Sequence, residues 1–113
     1  MPLANRTAAD LPYLAGMYDD DYFPDHLVDK VKRILLDLCA VIERDAPADL
    51  PALYRLTAVA TERVNDLVDE FDEAGSEIET VAREEIAEDF WSVAKAYGFA
   101  DADPEELVAV RDW

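Results

Sequence analysis

Apolar positions recur along this chain at spacings of three and four, the period that gathers side chains on one face of an α-helix. The longest run is Leu27, Val31, Ile34, Leu35, Leu38 and Ile42, widened by Val28, Leu36 and Val41. It predicts a central helix from about Pro24 to about Arg44, with Lys30, Lys32 and Arg33 on the outer side and Ala46-Pro47-Ala48 as the break. Leu53, Leu56, Ala60, Val64, Leu67 and Phe71 predict a further helix. Asp49 is its expected N-cap, Pro51 sits in its first turn, and it ends at Ala74-Gly75, with Gly75 the C-terminal cap. Ile78, Ala82, Ile86, Phe90, Val93 and Tyr97 predict another, opened by Ser76 as N-cap with Glu79 three residues on, a capping box, and closed by Gly98.

Two shorter elements flank these. Leu11, Leu14 and Met17 or Tyr18 suggest a helix from about Leu11 to Tyr18, with Asp10 as cap and Pro12 in the first turn. Asp103-Pro104-Glu105-Glu106 reads as a helix start carrying two carboxylates at its positive end, followed by Leu107, Val108 and Val110, with Trp113 folding back onto the body. No segment alternates as a strand would. The expected fold is therefore all-α, a single domain over residues 1–113: an antiparallel bundle of three long helices with short helices at either end.

Composition agrees with one folded domain. Hydrophobic residues make up 51% of the 113, enough for a core despite the charge. Charge then narrows the function. With 27 acidic and 10 basic residues the net charge is -17, and such a chain repels a phosphate backbone or an anionic membrane rather than binding it. The excess is uneven: residues 66–89 hold eleven acids and one base, Arg83. This clustering reads either as a solvated face or as a docking surface for a basic partner, since complementary charge speeds encounter and selects partners. Glu84 and Glu88 represent that surface. The one cysteine, Cys39, lies in an apolar run and is expected to be buried and inert. No stretch has the ~18 apolar residues of a membrane span. Met1–Asp10 lacks a basic region followed by an apolar core, so a cytoplasmic location is expected.

Three strings bear on chemistry. Tyr18-Asp19-Asp20-Asp21-Tyr22-Phe23 places three acids between aromatics, the residues that commonly anchor interfaces. Its plain reading is a staple, with Tyr22 and Phe23 holding the next helix and the aspartates facing water. Its sharper reading is a recognition loop, and the string is similar in kind to those of small acidic immunity proteins against nuclease toxins. Glu70-x-x-Glu73 and Glu85-x-x-Glu88 place carboxylate pairs on neighbouring helices, a ligand type that suits magnesium. In this they resemble the all-α nucleotide pyrophosphatases, but Arg83 is the one base nearby. A di-iron bundle requires two histidines; the chain has one, His26, expected at the surface of the central helix's start.

Leu14-Ala15-Gly16-Met17-Tyr18, Tyr22-Phe23-Pro24, His26-Leu27-Val28-Asp29-Lys30, Ser76-Glu77-Ile78-Glu79-Thr80, Ile86-Ala87-Glu88-Asp89-Phe90, Tyr97-Gly98-Phe99 and Arg111-Asp112-Trp113 resemble a bacterial family of small acidic helical proteins, a domain of unknown function. The resemblance spans nearly the whole chain and implies a bacterial source, with no activity and no catalytic residue to carry over. The leading expectation is a non-enzymatic acidic protein that binds a basic macromolecule, in the manner of an immunity or inhibitor protein, without a cofactor. The runner-up is a magnesium-dependent hydrolase of small phosphorylated substrates.

Overall fold

A computed structural model describes residues 3–113; Met1 and Pro2, the start of the stretch weighed as a leader, lie outside it. Among the described residues the chain is helical, without strands. The elements are α1 (Arg6–Ala9), α2 (Ala15–Asp19), α3 (Asp25–Asp45), α4 (Leu50–Asn65), α5 (Val68–Glu73), α6 (Thr80–Ala96) and α7 (Pro104–Leu107).

The central helix lies where the apolar period puts it. All six positions of its narrow stripe are buried, and the chain leaves it through Ala46, at φ 45°, before Pro47. Asp49 caps α4 through a bond that its Oδ1 accepts from Ala52 N at 3.0 Å. Pairings then fix direction. Arg63 meets Asp37 and Lys30 meets Glu70, so residues ascending along α4 and α5 oppose residues descending along α3. The two therefore run antiparallel. Helix α6 starts beside Tyr22, just before α3, and its end at Tyr97 reaches Glu43 near the end of α3, so α6 runs parallel to α3. Phe71, Phe90, Leu14, Met17, Leu35, Leu53, Ile86 and Leu107 are fully buried between them. Trp113 folds back as expected and is 7% exposed.

Three differences from the pattern have physical causes. The helix expected from Asp49 to Ala74 tightens after Asn65, where Leu67 N bonds Val64 O, three residues back rather than four. There the Asn65 side chain turns to the C-terminal segment, donating to Val110 O at 3.0 Å and accepting from Asp112 N at 2.8 Å. The capping box at Ser76 does not form. Gly75, at φ 75°, ends α5 in a left-handed turn, with Gly75 N on Asp72 O and Ser76 N on Phe71 O. That Schellman closure occupies the Ser76 N–H that Glu79 would bond in a capping box, and the buried Ser76 Oγ makes no hydrogen bond. Helix α6 starts four residues later, with Glu79 at its N-cap position and no side-chain bond there. The first predicted helix, Leu11–Tyr18, is replaced by α1, capped by Asn5, and the short α2, with the chain between them held by side chains of α6.

Candidate functional site

The backbone between α1 and α2 is unusual. Tyr13 N bonds Leu11 O, and the buried Tyr13 hydroxyl donates to Ala8 O at 2.6 Å. Leu14 then adopts φ 56° and ψ 32°, a left-handed conformation that costs an ordinary residue about 1–2 kcal/mol. Two interactions offset the strain. The Leu14 side chain is wholly buried, and its N–H donates to Asp89 Oδ2 at 2.8 Å. One turn further along α6, Glu85 Oε1 accepts from Met17 N at 3.0 Å. Two carboxylates four residues apart on one helix face thus satisfy backbone donors that the five-residue α2 leaves open. Gly16 allows the approach: a Cβ there would lie 2.3 Å from Glu85 Oε2.

A groove of about 470 Å³ runs along this contact. Leu11, Pro12, Ala15 and Gly16 form one wall, and Val81, Glu84, Glu85, Glu88, Asp89 and Ser92 the other. Its lining holds four carboxylates and no base. Val81, 69% exposed, adds an apolar foothold. Burial pushes the Asp89 carboxyl up to about 6; the Leu14 N–H works against that shift, and the neighbouring Glu85 and Glu88 add to it. Glu84 and Glu88 are exposed, whereas Glu85 and Asp89 turn inward onto α2. The groove offers negative charge and a modest apolar surface, the chemistry that suits a lysine- or arginine-bearing segment.

The other residues singled out from the sequence are placed as follows. Tyr18 is half-buried, and its hydroxyl donates to Asp29 at 2.5 Å. Burial first and then that bond push its pKa up to about 12. Asp19, Asp20 and Asp21 face solvent, with Asp20 Oδ1 accepting from Tyr22 N at 2.9 Å. Phe23 is in the core at 6% exposure, and Tyr22 packs its ring edge-on against it, centroids 5.0 Å apart. The Tyr22 hydroxyl accepts from Glu77 N at 2.9 Å, which stitches this loop to the connection before α6. The aromatic loop and the acidic hairpin, far apart in sequence, therefore meet. Glu70 is paired with Lys30, Glu73 is exposed at the end of α5, and Glu85 serves α2. Among the described residues no group of three or more His, Cys, Asp or Glu is arranged to hold a metal ion. His26 is exposed in the first turn of α3. Cys39 is fully buried, its Sγ 3.4 Å from the Tyr13 hydroxyl, and burial pushes the thiol up, away from reactivity.

Nothing in the sequence pattern sets Asp89 and Val81 opposite the Leu11–Gly16 segment. The contacts that join them span 75 and 68 residues, beyond any local pattern. One signal was available, Gly16 inside an apolar helical stripe, which marks a close approach.

Among the described residues no helix is long and apolar enough to cross a membrane. No curated protein and no solved structure matches the chain. The model of a family of unknown function, DUF5713, matches residues 7–113, a span that includes both walls of the groove. The chain belongs to that family.

Proposed function

We propose that this chain is a non-enzymatic interaction protein whose acidic groove between α2 and α6 receives a basic segment of a partner protein. The observation that carries the reading is the groove's lining, four carboxylates without a base, beside the exposed Val81. Long-range attraction steers a cationic segment to Glu84 and Glu88, and Val81 with the Leu11–Pro12 wall supplies the apolar contact that slows departure. The exposed Asp19–Asp21 loop, tied through Tyr22 to Glu77 just before α6, adds to the negative field. We assign it to the bacterial cytoplasm, where its single thiol, buried on α3, stays reduced.

The test is retention of basic proteins from a bacterial lysate on the immobilised chain, eluted with a salt gradient, beside titration with a lysine-rich peptide. Binding that weakens steeply with salt and is lost in Glu84→Lys with Glu88→Lys supports the reading. Failure to retain either probe at low ionic strength sinks it. A melting-temperature rise in millimolar magnesium, beyond that in sodium chloride of equal ionic strength, would favour a cation-dependent hydrolase instead.

A further inference from the structure

A second cleft runs along the contact of α3 with α4, and its chemistry differs. Its floor is apolar, from Ile34, Leu38, Leu56 and Ala60, and Val59 stands at its edge with 62% of its surface exposed. The ion pair of Arg63 with Asp37, at 3.1 Å, crosses it midway. Beyond that pair the cleft continues past Arg33 and Asp66. At one end lie Arg44 and Asp45, paired at 2.8 Å, and at the other Asp29, which accepts from the Tyr18 hydroxyl, and Lys30, which also meets Glu70. The lining thus holds four acids and four bases. Helices α3 and α4 together carry six acids and six bases, so the whole charge of -17 resides elsewhere in the chain.

We infer that this cleft is where a second copy of the chain docks, through a twofold contact of α3 and α4 with their counterparts. Two molecules at -17 repel over most of their surface, and on the α3–α4 face the local charge sums to zero. A twofold contact requires a surface that complements itself. Each end of the cleft presents one acid beside one base, so copies meeting end to opposite end set acid against base at both ends. Val59, at the cleft's edge on the Arg44–Asp45 side of the ion pair, adds an exposed apolar contact on each copy. Helices of 21 and 16 residues are about 31 and 24 Å long. Packed side by side they offer roughly 500–600 Å² per copy, near the lower end for specific association. The dimer is accordingly weak and concentration-dependent. The inference is independent of the acidic groove, which stays open on each copy.

Sedimentation velocity over about 10 μM to 1 mM, at low salt and at roughly 0.5 M sodium chloride, tests it. The expected result is a monomer–dimer equilibrium that tightens with salt as long-range repulsion is screened, opposite to the salt response of a basic ligand. Val59→Glu should weaken it by at least about tenfold. Val59 is mostly exposed, so that variant should keep its helical circular dichroism. Val81→Glu, in the other groove, should leave the dimer unchanged. A monomer throughout the range at high salt overturns the inference, as does a dimer that Val59→Glu leaves intact or that Val81→Glu abolishes.

Discussion

The groove between α2 and α6 and the cleft between α3 and α4 are both seams where helices meet, yet one is lined by four acids and the other by four of each sign. Helix packing of this kind leaves a furrow along every contact. What differs is where each helix puts its charges. Helix α6 carries acids at 84, 85, 88 and 89, spacings that bring all four to one side. Helix α3 mixes signs, and its partner α4 supplies Arg63 to the shared margin. Packing makes the furrows alike; their margins differ, one acidic, as the basic partner we propose requires, and one balanced, as the second copy we infer requires.

The sharpest way to break that contrast is to reverse the charge of the acidic groove. Glu84→Lys with Glu88→Lys should slow association of a lysine-rich peptide by about ten- to a hundredfold at low salt, measured by stopped-flow fluorescence. The effect should shrink as salt rises.

Next is the structural role of the inward carboxylates. Glu85→Ala removes the acceptor of Met17 N and should lower stability by about 1–2 kcal/mol in denaturant melts. Glu85→Gln keeps an acceptor and should cost much less. Equal losses in the two variants would mean that charge rather than hydrogen bonding holds α2.

A third test uses pH. The folded-state pKa of Asp89, about 6, lies above its ordinary 3.8, so the folded chain takes up a proton there before the unfolded chain does. The exposed Glu77 is shifted the same way, by its neighbour Glu79. Stability should therefore rise as pH falls from 7 through 6. Bonds from Tyr97, Ala4 and Asn5 hold Glu43 below its ordinary 4.5, and its contribution disappears as pH falls through that lowered value. The melting temperature should peak near about pH 5. Asp89→Asn keeps an acceptor for Leu14 N and should flatten the rise between 7 and 5; an unchanged profile in that variant would assign the rise to other groups.

The smallest effect belongs to the balanced cleft. Arg63 and Asp37 are each nearly half exposed, so Arg63→Ala should change stability by less than about 1 kcal/mol. A larger loss would show that the pair also supports the packing of α3 on α4.

The sequence made some of this legible and concealed the rest for physical reasons. The buried stripe of α3 and the caps at Asp49 and Asp103 are local signals, and each appears in the structure. The glycine stops at 75 and 98 are local too, and both residues have positive φ. At Ser76 two local signals compete for one backbone N–H, and the turn at Gly75 takes it. The acids of residues 66–89 were visible as a cluster, but a count does not say which of them face solvent. That Glu84 and Glu88 face out while Glu85 and Asp89 hold α2 depends on a wall contributed some seventy residues earlier. Glu43 is a similar case: it receives Ala4 N, Asn5 N and the Tyr97 hydroxyl, from both ends of the chain.

The left-handed turn at Leu14 also bears on the order of folding. Its N–H finds its acceptor on Asp89, 75 residues along the chain, so the strained conformation gains support only after α6 is in place. Closing so long a loop early is entropically costly, whereas α3 and α4 are joined by a short connection and can pair first. The N-terminal segment should therefore dock on the native side of the folding barrier. Substitutions at Asp89 or Glu85 would then quicken unfolding and leave the folding arm of a chevron nearly unmoved, the kinetic signature of a clasp fastened last.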